Sequence, residues 1–162
     1  MNMKISLRKL KLSDIKYFVK WWRDKDLLKL TSGILKLISD EEIEKYFNKM
    51  LNDKKSQHYL IILGDEKVIG HIAFHKSKNK SAETQVIIGE KEYWGKGYGT
   101  VAINLALGKI QKYKYQKIYL EVRPNNSRAI RAYKKCGFKS NGFKKYPKNK
   151  FLPVVLRMSL DL

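Results

Sequence analysis

The sequence predicts an α+β fold with a central mixed, mostly antiparallel sheet of about six or seven strands and about four helices. Three consecutive segments, 57–63, 67–75 and 83–89, have the period of strands and are joined by short polar turns, which is typical of an antiparallel meander. A helix and a further strand follow, and this order predicts a crossover onto a parallel neighbour. Two amphipathic helical segments precede the meander.

The amino-terminal segment contains a short strand and these two helices. Residues 3–10 form an extended segment, and Ser13 and Asp14 are helix-start signals. Apolar side chains then recur at helical offsets: Ile15, Phe18, Val19 and Trp22. Ser39 and Glu42 form a capping box, in which each side chain satisfies a backbone N–H of the other residue. The predicted buried face of this second helix consists of Ile43, Tyr46, Phe47, Met50 and Leu51.

The carboxy-terminal half adds two helices and three strands. A helix over about 97–112 offers five apolar side chains for packing: Val101, Ile103, Leu105, Ala106 and Ile110. A β-rich run follows at Lys117 to Val122. Asn126 or Ser127 then caps a helix that ends at Gly137, a glycine in the C′ position. Two last strands, near 138–145 and 152–160, complete the sheet.

Composition limits the class of protein. The chain has 162 residues, 43% of them hydrophobic, so we expect a packed core and one domain over 1–162. The single cysteine, Cys136, cannot form an intramolecular disulfide, and no apolar run has signal-peptide or membrane-spanning length. We therefore expect a cytoplasmic protein without membrane association. The formal charge of +20 attracts polyanions such as nucleic acid, an acidic membrane face or a phosphorylated ligand.

The most informative segment is a glycine-rich loop between a strand and a helix, from Tyr93 to Thr100. Its alternate glycines let the backbone approach a ligand closely, and the following helix turns free N–H groups toward it, so a phosphate or pyrophosphate is the expected guest. The P-loop pattern is absent, and the dinucleotide fingerprint requires glycine where this chain has Thr100. A glycine-rich turn without a ligand is the alternative for such a loop taken alone.

A second motif follows the loop, from Asn125 to Phe138. With both motifs in order, the sequence resembles the GNAT superfamily of acetyl-CoA-dependent N-acetyltransferases, and within it the group of ribosomal-protein N-terminal and spermidine acetyltransferases. The resemblance implies the GNAT fold, with helices on both faces of the sheet. One departure is Trp94, which replaces a residue that is usually Gln or Arg and so removes one side-chain donor.

The resemblance also implies how acetyl-CoA is bound. The backbone N–H groups of the loop would hold the pyrophosphate, with one lysine as an added counter-charge: Gly95, Lys96, Gly97, Tyr98, Gly99 and Thr100. The strand residues Val86, Ile87 and Ile88 would line the pantetheine arm, and one of their N–H groups would polarise the thioester carbonyl. Asn126 would contact the same arm.

Acetyl transfer to an amine requires a base for the amine and an acid for the leaving thiolate. Tyr133 stands where the family keeps its acid, and a phenol can protonate a thiolate because its ordinary pKa is the higher of the two. The alternative for Tyr133 is a core tyrosine. Glu83 matches a position that some family members use as base. Three other glutamates could replace it: Glu90, Glu92 and Glu121.

Two further groups invite chemistry that the sequence does not favour. Cys136 could form an acetyl-enzyme, but no histidine lies near it in the sequence, so we interpret it as a structural thiol. His71 and His75 lie on one face of a strand. No third ligand is spaced to complete a metal site, so we expect no metal and interpret both as polar-face side chains.

The predicted function is transfer of the acetyl group of acetyl-CoA to a primary amine, on a protein N-terminus or on a small molecule such as a polyamine or aminoglycoside, by a monomer or homodimer. The alternative is a nucleic-acid or ribosome-binding module that uses the basic region 109–150, with or without this activity. That region holds 14 basic residues and one acidic residue, and it interleaves lysines with tyrosines from Lys112 to Tyr119. A coenzyme-A-fold protein without catalytic activity is a third possibility. Residues 24–53, expected to border the acceptor groove, have a balance of −2 from 7 acidic and 5 basic residues.

Overall fold

A computed structural model describes residues 4–31 and 36–162, and its centre is one seven-stranded sheet. The strands are β1 (Ile5–Lys9), β2 (Ser56–Leu63), β3 (Lys67–Lys76), β4 (Ser81–Ile88), β5 (Lys117–Val122), β6 (Lys139–Lys145) and β7 (Val154–Asp161), in the spatial order β1-β2-β3-β4-β5-β7-β6. The helices are α1 (Ile15–Trp22), α2 (Lys25–Thr31), α3 (Asp40–Asn52), α4 (Tyr98–Ile110) and α5 (Ser127–Lys135). Residue 3, assigned from the sequence to the first strand, lies outside the described residues.

The pairing of the strands confirms the predicted mixed sheet. Strands β1 to β4 form an antiparallel meander, and β4 pairs in parallel with β5 across the α4 crossover. This parallel ladder comprises only three residue pairs, from Ser81 opposite Lys117 to Glu83 opposite Tyr119. Beyond Glu83 the two strands have no further partners in each other, so the sheet opens into a cleft.

Two hydrophobic clusters cover opposite faces of the sheet. The cluster under α1 to α3 contains Phe18, Trp21 and Phe47, packed on Leu60 and Ile62 of β2. The cluster on the other face packs α4 against strand residues and includes Ile103, Ala106 and Ile110. Helices on both faces are therefore confirmed. In the part of the chain that the structure describes, no helix has the length and apolar character needed to cross a membrane.

The predicted helix ends are confirmed where a side chain or a glycine defines them. The Ser39 hydroxyl accepts the Glu42 N–H, and the Glu42 carboxylate accepts the Ser39 N–H, which completes the capping box. The Asn126 side chain accepts the Ala129 N–H at 3.2 Å and caps α5. Gly137 has φ +90°, the left-handed conformation of a C′ residue.

Three packing predictions were wrong. Val101 and Leu105 are 45% and 41% exposed because α4 turns residues 102, 103, 106 and 110 toward the sheet instead. Tyr46 is 49% exposed and meets Trp22 edge to face. Trp21, which the apolar spacing did not select, is buried.

Helix α2 was not predicted, because its seven residues are too few for a clear period. Its start does have a local signal, since the Asp24 carboxylate accepts the N–H groups of residues 26 and 27.

Gly70 and Gly108 offer a test of this packing. A Cβ at Gly70 would lie 2.1 Å from the Ile87 carbonyl oxygen of the neighbouring strand, whereas one at Gly108 would meet nothing within 4 Å. We expect Gly70→Ala to lower the free energy of unfolding by about 1–3 kcal/mol. Gly108→Ala should raise it by roughly 0.5–1 kcal/mol through helix propensity. Urea denaturation of both variants checks this, and equal effects of the two substitutions would contradict the strand packing.

Candidate active site

The glycine loop adopts the conformation that its sequence requires. Gly95 and Gly97 have φ of +75° and +84°, and a Cβ at either would meet nothing within 4 Å, so this side of the loop is open. Gly97 is also the N-cap of α4 and provides no side-chain cap. The first N–H groups of a 13-residue helix therefore remain available at the loop, together with the positive end of the helix dipole.

Trp94 fixes this loop to its neighbours. Its indole N–H donates to the Ile88 carbonyl oxygen at the end of β4, at 2.6 Å. The Arg128 guanidinium lies over the indole ring, 3.9 Å from its centroid. From the sequence, Trp94 removes one side-chain donor of the loop. In the structure its indole N–H donates within the protein instead, and the residue connects β4, the loop and α5.

A first cavity of about 200 Å³ adjoins the loop. Most of the predicted cofactor residues line it: Val86, Ile87, Ile88, Gly95, Gly97, Tyr98, Gly99, Thr100 and Asn126. Lys96 does not; its ammonium group lies 5.6 Å from the centroid of the Tyr93 ring. Three cations of α5 line the cavity instead: Arg128, Arg131 and Lys135. Sequence reasoning missed them, although their spacing of three and four residues places them on one helix face.

The free edge of β4 forms one wall of this cavity. The Gly89 N–H donates to the Ile69 carbonyl at 2.9 Å, and the antiparallel register of β3 and β4 has no irregularity. Because hydrogen-bonding directions alternate along a strand, the N–H group of Ile87 faces β3, whereas those of Val86 and Ile88 face the cleft. Two backbone donors at this edge of β4 thus point toward the first cavity.

A second cavity, of about 310 Å³, continues from the first. The residues common to the two include Val86, Ile87, Asn126 and Tyr133, and the second cavity adds Glu83 and Glu121. Tyr133 is 8% exposed and lies where the cavities meet. Burial, with a smaller contribution from Cys136, raises the pKa of Tyr133 to about 12, so its hydroxyl keeps its proton at neutral pH.

Glu83 differs from the other carboxylates that the sequence proposed as bases. It is half-buried in β4, and burial and the neighbouring Glu121 raise its pKa above the ordinary value, against the opposing effect of Arg157 and Lys144. A carboxylate with a raised pKa is a better proton acceptor. Of the four glutamates, Glu83 is the one that both lines the second cavity and forms no ion pair among the described residues.

The other three glutamates are already engaged. Glu121 also lines the second cavity, but its carboxylate accepts from Lys144, Tyr146 and Arg157. Glu90 accepts from Lys20 at 2.5 Å and from the Trp21 indole at 3.1 Å, beside α1. Glu92 is exposed and pairs with Lys67. Neither Glu90 nor Glu92 lines either cavity.

Cys136 has the environment of a structural thiol. Its Sγ donates to the Thr100 carbonyl oxygen at 3.6 Å and so connects the end of α5 to α4. Burial raises its pKa, which disfavours the reactive thiolate. It does not line either cavity.

The interpretation of His71 as a polar-face side chain was wrong, because it is 6% exposed and its ring packs edge to face on Phe18. His58 joins it: the His58 Nδ1 lies 3.1 Å from the His71 Nε2, and its ring also meets that of His75. Ser56 Oγ lies 2.8 Å from His75 Nδ1 and donates to Asp53. Burial lowers the pKa of all three histidines. Within residues 4–31 and 36–162, no three side chains converge as metal ligands.

Two of the three tyrosines of the basic segment, Tyr115 and Tyr119, pack against other side chains of the protein and are not free to stack on a polymer. Tyr115 is 8% exposed and donates to the Gln57 side chain, and the Arg157 guanidinium covers the Tyr119 ring. Tyr113, at 38% exposure, stacks on Tyr115. The positive charge of the segment remains, but most of its aromatic surface is occupied within the protein.

Comparison with known proteins places this geometry in a family. A family model described as "Acetyltransferase (GNAT) domain" matches residues 4–139. Spermidine N(1)-acetyltransferase of Vibrio cholerae is 28% identical over 145 residues, which cover 88% of this chain and 83% of the relative. Spermidine N(1)-acetyltransferase of Escherichia coli is 30% identical over 109 residues, 62% of this chain and 55% of the relative.

Solved structures share the fold. The crystal structure of the Vibrio cholerae spermidine N-acetyltransferase in complex with CoA and spermine has a TM-score of 0.83 at 25% identity, covering 97% of this chain and 95% of the other. An aminoglycoside acetyltransferase in complex with coenzyme A has a TM-score of 0.81 at 17% identity, covering 98% and 95%. The second likeness is one of fold alone.

The histidine cluster predicts how stability depends on pH. Burial lowers the pKa of His58 from 6.5 to about 4, so the unfolded chain takes up protons first as the pH falls. We therefore expect the free energy of unfolding to fall by about 1 kcal/mol between pH 7.5 and 5.5 from this residue. Urea denaturation of the wild type and of His58→Asn at both pH values measures it. Equal pH dependence in the two proteins would contradict the assignment.

Proposed function

The chain belongs to the GNAT family of acetyl-CoA-dependent N-acetyltransferases, and on that premise we propose that the acetyl group passes to a primary amine by direct attack in a ternary complex. The observation that carries the proposal is the meeting of two cavities at Tyr133. One cavity has the features of a cofactor site and the other has a carboxylate with a raised pKa. A cofactor and an acceptor held in these cavities would meet beside Tyr133.

The first cavity suits the phosphates and the arm of acetyl-CoA. The open loop at Gly95 and Gly97 would receive the pyrophosphate on backbone N–H groups, with α5 cations as counter-charges. The pantetheine arm would add to β4 like a strand, using the N–H groups of Val86 and Ile88. Asn126 commits its Oδ1 to the cap of α5, which leaves its amide NH₂ for the same arm.

The second cavity would receive the amine. Most free primary amines are protonated at neutral pH, so the attacking nitrogen must first lose a proton. We assign this proton to Glu83, directly or through water, because its raised pKa suits a base. As the nitrogen bonds to the carbonyl carbon and the C–S bond breaks, Tyr133 would give its proton to the sulfur and then take the second proton that the acylated nitrogen must lose. One N–H from β4 would stabilise the carbonyl oxygen.

The relatives supply the first acceptors to test. The names of the relatives and of the structural neighbours specify spermidine, spermine and aminoglycosides, and the family resemblance adds protein N-termini. Thiol release from acetyl-CoA, measured against polyamines, aminoglycosides, simple amines and ribosomal N-terminal peptides, tests the proposal. Amine-dependent release supports it, and the absence of release with every class of amine contradicts it.

Tyr133 provides the sharpest variant. Tyr133→Phe removes only the hydroxyl, so the affinity for acetyl-CoA should stay within about twofold while kcat falls by roughly 10²–10⁴-fold. Tyr113→Phe, at an exposed position away from both cavities, is the matched control and should keep the wild-type kcat. Equal turnover of the Tyr133 variant and the control would remove Tyr133 from the acid role.

The proposed role of Glu83 as base predicts how kcat/KM changes at acidic pH. Because the pKa of Glu83 is raised, kcat/KM should fall as the pH drops toward that pKa and the base becomes protonated. In Glu83→Gln the remaining activity should lose this limb and retain only the titration of the amine itself. Gln85→Ala, in a neighbouring position of the same strand and cavity, should keep the wild-type profile shape. An unchanged acid limb in Glu83→Gln would assign the base elsewhere.

A further inference from the structure

The carboxylate of Glu121 is surrounded by cations at the edge of the second cavity. Its Oε1 accepts from Arg157 at 2.9 Å and from Lys144 at 3.2 Å, and its Oε2 accepts from the Tyr146 hydroxyl at 2.7 Å. Burial opposes its ionisation, but these three donors outweigh burial and hold its pKa below the ordinary value. Glu121 is therefore ionised, and the group of Glu121, Lys144, Tyr146 and Arg157, here called the Glu121 cluster, has a formal charge of +1.

Few negative charges remain for a cationic acceptor. Glu83 and Glu121 are the acidic residues among the described residues that line the second cavity. The segments outside the description, 1–3 and 32–35, contain no Asp or Glu, so they cannot add one. Glu83 serves the reacting amine. A second ammonium group would therefore meet the Glu121 cluster, in which two cations already outweigh the one carboxylate.

We propose that the Glu121 cluster selects acceptors with a single cationic amine on a neutral or anionic remainder, and disfavours polyamines. The inference rests on the proposed function, since it concerns the acceptor of that same site. It separates this chain from relatives whose names specify spermidine.

The physical reason is desolvation without compensation. Each ammonium group that enters a partly buried cavity loses hydration. In this cavity, only a carboxylate with free lone pairs would offset the free-energy cost of that loss. The oxygens of Glu121 already accept three hydrogen bonds within the cluster. Lys144 and Arg157 are not among the residues that line the second cavity, but their charges, held on Glu121 at 3.2 Å and 2.9 Å, still favour an anionic over a cationic remainder there.

Three four-carbon amines isolate the effect of charge at the far end of the acceptor: butylamine, putrescine and γ-aminobutyrate, which end in a methyl, an ammonium and a carboxylate group. We expect kcat/KM for butylamine and γ-aminobutyrate to exceed that for putrescine by at least about tenfold. Spermidine, measured alongside, should rank with putrescine.

A pair of lysine variants tests the cluster itself. Lys144→Met removes one cation and reduces the cluster charge from +1 to 0, so the ratio of kcat/KM for putrescine to that for butylamine should rise at least about fivefold. Lys145→Met makes the same charge change at the next residue of β6, whose side chain alternates to the other face of the sheet. The control should keep the wild-type ratio.

The outcomes distinguish this inference from the proposed function. A preference for putrescine or spermidine, or equal ratios in Lys144→Met and Lys145→Met, would overturn the inference and leave the acetyltransferase proposal intact. If no amine releases thiol, the proposed function fails, and calorimetry on CoA-loaded protein decides the inference. Putrescine that binds as tightly as γ-aminobutyrate would then overturn it, and putrescine at least about tenfold weaker supports it.

Discussion

The short parallel ladder between β4 and β5 is the constraint on which the site depends. After three residue pairs the strands separate, and the backbone N–H groups of Val86 and Ile88 lose a strand partner inside the protein. Both residues are partly exposed at this edge, so their N–H groups are open to water or to a ligand. Trp94 already satisfies the Ile88 carbonyl. The same separation makes room for α5, which brings Tyr133 to the junction of the cavities.

Much of this arrangement could be predicted because its signals are local. The capping box at Ser39, the cap at Asn126 and the glycines of the loop each act within a few residues, and the sequence contains them intact. The parallel crossover followed from element order. Tyr133 and Glu83 were named from motif positions, and their shared second cavity agrees with the roles proposed for them.

What the sequence could not predict depends on distances between elements. The cations that line the first cavity are Arg128 and its α5 neighbours and not Lys96, because a side chain of the loop need not face the cavity. His58 joins the other histidines only through the register of β2 and β3. The formal charge of +20 likewise gave no indication that one carboxylate, Glu121, is enclosed by cations. Charge acts here through local placement more than through its sum.

Amide hydrogen exchange with and without CoA tests most directly whether the free edge of β4 binds the cofactor arm. We expect CoA to slow exchange at Val86 and Ile88, and at the loop amides from Gly95 to Thr100, while Ile87, already paired with β3, changes less. Unchanged exchange of Val86 and Ile88 at a CoA concentration that saturates the protein would contradict binding at this edge, because the arm would then lie elsewhere.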